Sequence, residues 1–300
     1  MDINRGTMSS LFEGFNMQFK NGFDMAPDSW AQFAGSIPST TALNTYPFLE
    51  QSSGMREWIG DREIKNFASN KLQVVNKDYE DTVSVTRNDI EDDQYGIYGT
   101  LIAQMGQNAG KLWNDLTFKA LVSGKDDKWL DGKAFFASDR KYDKNTVNNK
   151  TTSALSETAF NTAYLSMTSY CGHSNKPLGV IPDLLIVGPA LRTTAWDIVK
   201  NQFAYDATDK VQVKNVNENL VDLLVAPELS GTYANYWFLA STKSVIKPVM
   251  IQQRKHPKLT RLDKESDENV FMRKEFIYGT DARGAAFMSL PHLIYAGIVS

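Results

Sequence analysis

The sequence predicts an α+β fold, and three patterns carry that reading. Apolar residues recur at spacings of three and four over a long stretch from Ile97 to Ala120, the period of a helix face. Short segments such as Thr82-Val83-Ser84-Val85-Thr86 alternate apolar and polar residues, the period of a half-buried strand. A block over residues 154–242 alternates helical and strand patterns, as a small α/β unit does. With 42% hydrophobic and 22% charged residues among 300, the composition supports a real core and argues against wholesale disorder.

The chain divides into five segments. Residues 1–50 form an arm. Leu11, Phe15 and Phe19 recur every four positions and predict a short amphipathic helix. Pro27, Gly35, Pro38 and Pro47 then predict an extended, irregular path. An arm carrying Phe12, Phe15, Phe19 and Trp30 needs apolar cover, either on its own domain or across a neighbouring subunit.

Residues 51–91 read as a hairpin with a flanking strand. Arg62 to Asn66 and Lys71 to Val75 flank Ala68-Ser69-Asn70 as a turn. Lys65, Lys71, Lys77, Asp78, Glu80 and Asp81 leave it little apolar surface to bury alone, so it is expected to project and to need a partner. Residues 92–153 open with Asp92 and Asp93, which suit a helix cap. The helix that follows should run roughly 28 residues, about 40 Å, and stop at Gly124. The polar stretch 125–153 reads as a loop.

Within 154–242, helices are expected over 155–170 and 190–200. Core strands are expected over 183–187, 220–226 and 236–240. Residues 243–300 return to strands over 244–252, 269–278 and 282–289, with an apolar tail from Leu293 to Ala296.

Little in the sequence points to catalysis. The histidines, His173, His256 and His292, share no metal-ligand spacing, and Cys171 is the single cysteine. No glycine-rich phosphate loop and no nucleophile elbow is present. The expectation is therefore no cofactor and no enzyme activity. The run Ile90-Glu91-Asp92-Asp93 reads better as helix capping and intersubunit ion pairing than as a cation site. Arg254, Lys255, Lys258 and Arg261 form the strongest basic cluster, which either faces DNA phosphates or pairs with acidic neighbours. The net charge of −3 does not suggest bulk binding of nucleic acid. No apolar run approaches the roughly 18 residues of a membrane span, and Met1 to Lys20 lacks the apolar stretch of a signal peptide. A soluble, cytoplasmic subunit is the expectation.

Several segments carry a family resemblance. Thr45-Tyr46, Glu57-Trp58-Ile59-Gly60-Asp61-Arg62 and the run from Val75 to Asp93 resemble the Mu-like bacteriophage major head subunit family. Gly96-Ile97-Tyr98, Met105-Gly106 and Asp131-Gly132-Lys133-Ala134-Phe135-Phe136 continue the likeness. Gln253-Arg254-Lys255, Asn269-Val270-Phe271-Met272 and Glu275-Phe276-Ile277-Tyr278-Gly279 are also similar to family segments. Where the family often has His-Pro after the paired phenylalanines, this chain has Ser138-Asp139-Arg140. Residues 150–240 align by pattern alone.

The resemblance implies a Hong Kong 97-type capsid fold. Residues 1–50 would be the N-arm, 51–91 the E-loop hairpin, 92–153 the peripheral domain with its spine helix, 154–242 the axial domain, and 243–300 the peripheral C-terminal strands. It implies a subunit that joins copies of itself, as homo-hexamers and homo-pentamers, into an icosahedral head around double-stranded DNA bound without sequence specificity. Portal, scaffold or decoration proteins would be further partners, no membrane would be involved, and the place would be the virion, after assembly in the bacterial cytoplasm. Glu57, Trp58, Asp61, Arg62, Lys65, Lys77, Glu91, Asp92 and Asp93 join the arm aromatics as candidate intersubunit contacts. A truncation of residues 1–35 is expected to leave a folded subunit that fails to close shells. The alternatives are an encapsulin-like cellular nanocompartment shell, marked by a groove for a cargo peptide, and a hydrolase, marked by a carboxylate-lined cleft.

Overall fold

The computed structural model describes residues 5–47, 71–92, 96–142, 144–172, 175–206, 211–264 and 266–299. The first part of the chain supplies α1 (Arg5–Asp24), β1 (Ala34–Pro38), β2 (Leu43–Pro47), β3 (Lys71–Val75), β4 (Lys77–Thr86), α2 (Arg87–Asp92) and α3 (Ile97–Ser123). The middle supplies β5 (Arg140–Tyr142), β6 (Asn145–Val147), β7 (Lys150–Thr151), α4 (Glu157–Thr168), β8 (Leu184–Val187) and α5 (Arg192–Val199). It continues with β9 (Phe203–Asp206), β10 (Val211–Lys214), β11 (Asp222–Val225) and β12 (Trp237–Ala240). The last part supplies β13 (Val249–Lys255), β14 (Leu259–Leu262), α6 (Glu268–Arg273), β15 (Glu275–Met288) and β16 (Ile294–Gly297).

Two five-stranded sheets organise the described residues. In the first, β1, β13, β15 and β14 lie in that order, with β4 also paired to β15. The 14-residue β15 is its backbone, antiparallel to β13, β14 and β4. In the second, the order is β11-β8-β12-β16-β7. Its interior strand β8, between β11 and β12, is buried throughout, with Leu184 and Ile186 in one core and Leu185 and Val187 in another. A strand covered on both faces has no polar side to alternate with, which is why residues 184–187 read as a continuous apolar run.

Three cores result. One joins the C-terminal half of α3, through Trp113, Phe118 and Leu121, to both sheets. A second covers the other face of the second sheet with α4 and α5, through Phe160, Met167 and Ala195. The third packs α1 on the N-terminal half of α3, with Phe15, Phe19, Ile102, Met105, Phe276 and Tyr278. Burial of each large apolar side chain contributes about 1.5–3 kcal/mol relative to exposure. The two helices approach closely at Gly106: a Cβ there would stand 2.0 Å from the Phe19 carbonyl oxygen.

The long helix has 27 residues and ends against Gly124, as the periodicity requires. Its start differs. Asp92 closes the separate short helix α2, and Gly96, at φ 66°, is the residue that precedes α3. A left-handed backbone there favours glycine over any acidic cap.

Five expectations are corrected. The charged strand Lys77–Thr86 does not project: β4 pairs along its whole length with β15, from Thr86↔Glu275 to Lys77↔Gly284. The irregular path after Pro27 contains β1, parallel to β13, and β2, paired with β3. The polar loop 125–153 holds β5, β6 and β7, anchored by the buried side chains of Arg140 and Asn149. Residues 269–273, expected in a strand, are helical in α6, and Lys274 at φ 55° turns the chain into β15. The tail after Pro291 leaves the first sheet altogether and enters the second as β16, between β12 and β7.

Candidate subunit interface

The residues predicted to touch neighbouring subunits divide into three groups. Glu57, Trp58, Asp61, Arg62, Lys65 and Asp93 lie outside the described residues, as does the proposed turn Ala68-Ser69-Asn70. Phe15 and Phe19 are used inside this chain. Phe15 meets Tyr278 edge to face, with centroids 5.1 Å apart, and both phenylalanines are buried. Of the two courses open to an apolar arm, α1 takes the first, and folds back on its own spine helix. Phe12 is half-buried under Arg261, whose guanidinium sits 4.2 Å from the ring centroid. Trp30 packs partly on the first core.

The remaining candidates stand at the surface. Lys77 is exposed at the start of β4, and Asp92 at the end of α2. Glu91 forms an ion pair at 3.2 Å with Arg87, one turn earlier. In the basic cluster, Lys255 pairs with Asp281 and Arg261 with Asp263, the latter at 3.4 Å. Arg261 also donates to the Met8 carbonyl at 3.3 Å, which fastens α1 to β14. Burial raises the Asp263 carboxyl above its usual range, against the opposing pull of Arg261. Lys258 is exposed and Arg254 half-buried. Half of the cluster is thus committed to ion pairs within the subunit.

The structure adds a site that the sequence reading missed, at the base of the β2–β3 ribbon. Gln252 on β13 is fully buried. Its amide nitrogen donates to Asn76 Oδ1 at 2.6 Å, and its carbonyl oxygen accepts from the Tyr46 hydroxyl at 2.7 Å. Asn76 donates in turn to Ser39 Oγ at 2.9 Å and to the Thr41 carbonyl at 2.8 Å. Tyr46 stacks on Phe287 with centroids 5.0 Å apart, and burial raises its hydroxyl pKa. The network ties both strands of the ribbon, which brackets residues 48–70, to the first sheet. Buried polar groups that satisfy one another fix a single geometry, because any other leaves one unpaired. A polar residue in mid-strand at position 252 was the available signal, but its three partners are remote in sequence.

A second junction joins three parts of the chain. Asn114 on α3 accepts from Ser29 Oγ at 2.8 Å and from the Trp30 backbone N–H at 3.1 Å, and donates to Glu228. Arm, spine helix and the turn that follows β11 thus meet at one buried amide.

Among the described residues no three His, Cys, Asp or Glu side chains could hold a metal ion. A cleft between α3 and the first sheet, lined by Tyr79, Glu80, Asp81, Asn108 and Asp281, has a volume of about 220 Å³. That is below the usual range for a small-molecule site, roughly 300–1,000 Å³.

The comparisons agree with this architecture. A family model described as Mu-like prophage major head subunit gpT matches residues 8–165, 150–229 and 228–298. The chain is similar to the Mu-like prophage FluMu major head subunit of Haemophilus influenzae, at 29% identity over 290 residues, 96% of this chain and 72% of that one. It is 24% identical over 286 residues to the major capsid protein of Escherichia phage Mu, covering 95% and 72%. Among solved structures, the procapsid of bacteriophage JBD30 is similar at TM-score 0.62 and 28% identity, over 98% of this chain and 75% of that one. A virus-like particle from Pyrococcus furiosus shares the fold at TM-score 0.56 and 12% identity, over 95% and 98%. Its shell neighbours give the Hong Kong 97-type fold, and no helix among the described residues is long and apolar enough to cross a membrane. The chain belongs to the Mu-like prophage major head subunit gpT family, and its role is that of a major capsid protein in a phage head.

Proposed function

We propose that this subunit assembles with copies of itself, as hexamers and pentamers, into an icosahedral head that encloses double-stranded DNA. The family match over nearly the whole chain carries the reading. The role is structural, without a catalytic centre or cofactor. In this reading the segments 1–50, 51–91, 92–153, 154–242 and 243–300 act as N-arm, E-loop region, spine-helix region, axial domain and peripheral strands, except that the tail after Pro291 completes the sheet of the axial strands as β16. Lys77, Asp92 and the candidates at positions 57–65 and 93 contact neighbouring subunits. Arg254 and Lys258 face packaged DNA, held through phosphates without sequence readout. Portal, scaffold and decoration proteins are the further partners, and assembly takes place in the bacterial cytoplasm.

The test is to express the chain, with and without its candidate scaffold, and to image the product by electron microscopy. Closed shells with hexameric and pentameric capsomers are expected. A chain that remains monomeric at high concentration in both cases would overturn the reading. The contents of particles made in infected cells separate a genome container from a cellular compartment: double-stranded DNA is expected, and a protein cargo would favour the nanocompartment.

A further inference from the structure

His292 is 8% exposed, and its Nδ1 has no hydrogen-bond partner among the described residues. It lies in the short turn Pro291–Leu293, where the chain leaves the first sheet and enters the second. Leu290 and Leu293 beside it belong to the first core, and its ring meets that of Tyr142 on β5 edge to face, with centroids 6.3 Å apart. A neutral imidazole suits such a place. An imidazolium does not, because a buried charge without a counterion loses its hydration and gains nothing in return.

The surrounding elements offer it no free carboxylate. On the stretch that leads into β5, Asp131 pairs with Arg140 and Asp139 with Lys133. On the other side, the Ser241 N–H donates to the Leu293 carbonyl, and Asp183 beside it accepts from Thr242 and faces Lys243. Tyr142, Tyr170 and Tyr295 bring hydroxyls, while Lys150 and Lys247 add positive charge. Burial alone accordingly lowers the His292 pKa.

The same turn fastens an edge. The buried Asn149 amide donates to the Pro291 carbonyl at 3.0 Å and to the Phe135 carbonyl at 3.1 Å. The next residues form β7, the edge strand of the second sheet, which pairs with β16 at Lys150↔Ala296 and Thr151↔Gly297. The Ala296 and Ile298 N–H groups donate to the Asn149 and Thr151 carbonyls at 3.0 and 2.8 Å. An edge strand held by so few bonds opens locally at less cost than the whole sheet. The Asn148 carbonyl accepts from Ser166 and Tyr170, so the stretch stays on α4 when its joint to β16 opens.

We propose that His292 is an acid-operated fastening of the joint between β7 and β16. When the imidazole takes up a proton, the turn lifts from Tyr142 and Asn149 to hydrate it. β7 then parts from β16, while β11, β8 and β12 remain paired. The closed joint holds the imidazole at a pKa of about 4 against 6.5 in water. Proton uptake therefore favours the open joint as pH falls between those values. At pH 5 the open population should be about thirtyfold that above pH 7.

The experiment follows backbone hydrogen exchange of the full chain by mass spectrometry from pH 7.5 to 5, with rates corrected for their intrinsic pH dependence. It compares the wild type with His292→Leu and His292→Gln, two neutral replacements of different shape. In the wild type, peptides over residues 144–151 and 291–298 are expected to lose about thirtyfold in protection at pH 5, while β8 and β12 keep theirs. Both variants are expected to lose that response. Exchange of the His292 ring Cε1 hydrogen, read in the same wild-type spectra, reports its titration whether or not the variants fold. Protection at 144–151 and 291–298 that ignores pH would overturn the proposal. So would an acid response that survives in either variant, a loss at β8 and β12 in step with the joint, or a wild-type imidazole that titrates at 6.5.

Discussion

Single side chains decide two properties of this subunit. Gln252 is fully buried, and a leucine in its place would remove the amide that donates to the Asn76 carbonyl and the oxygen that accepts from the Tyr46 hydroxyl. The Gln252→Leu variant is expected to lose about 1–3 kcal/mol of stability, the cost of an unsatisfied buried polar group, read by denaturant unfolding. An unchanged midpoint would mean that water replaces the network freely. His292 sets a dependence on pH. Burial lowers its pKa from 6.5 to about 4. Between those values the unfolded chain binds a proton that the folded chain refuses. Stability is therefore fully present above about pH 6.5 and declines as pH falls toward 4, by up to roughly 3 kcal/mol. His292→Leu should flatten the melting temperature over that window, while Tyr142, which meets the imidazole ring at 6.3 Å, stays in place. A slope that persists in the variant would assign the acid sensitivity elsewhere.

At the scale of elements, the contact of α1 with α3 matters most. The spine helix carries Gly99, Gly106 and Gly110, each of which weakens a helix by its backbone freedom. Their tertiary roles differ. A Cβ at Gly106 would meet the Phe19 backbone at 2.0 Å, whereas one at Gly99 finds its nearest neighbour, Gln18 Cγ, at 3.8 Å. Gly106→Ala is expected to push α1 away and cost about 1–3 kcal/mol. Gly99→Ala should be neutral or stabilise by up to about 1 kcal/mol. Equal effects in thermal unfolding would show that α1 does not hold its place on α3. The short helix α6 makes the complementary point. Its alternation with β15 reads as one strand, yet Asn269 and the left-handed Lys274 hold it as a helix. That conformation leaves Phe271 and Met272 outside.

For the whole molecule, the arm has the largest consequence. From the family resemblance, removing residues 1–35 should leave a folded subunit that fails to close shells. The structure changes that expectation, because Met8, Phe15 and Phe19 complete the third core. Their loss uncovers the N-terminal half of α3 together with Phe276 and Tyr278. The truncated chain is now expected to unfold at a lower temperature and to expose apolar surface, as dye binding would reveal. A truncation that melts like the full chain would return α1 to the role of a clasp on a neighbour.

The sequence by itself determined what depends on near neighbours along the chain. The 27-residue spine helix, its stop at Gly124 and the strands at 184–187 and 237–240 all follow from local period and composition. So does the α+β class. The tertiary structure decided what depends on distant partners. It seated α1 on its own spine, drew β4 into the body along β15, and sent the C-terminal strand into the second sheet. It also gathered Ser39, Tyr46, Asn76 and Gln252 into one network. The reason is the same each time: a periodic pattern states that a face must be buried, but which face covers it is fixed only when segments far apart in sequence compete for the same apolar and hydrogen-bonding surface.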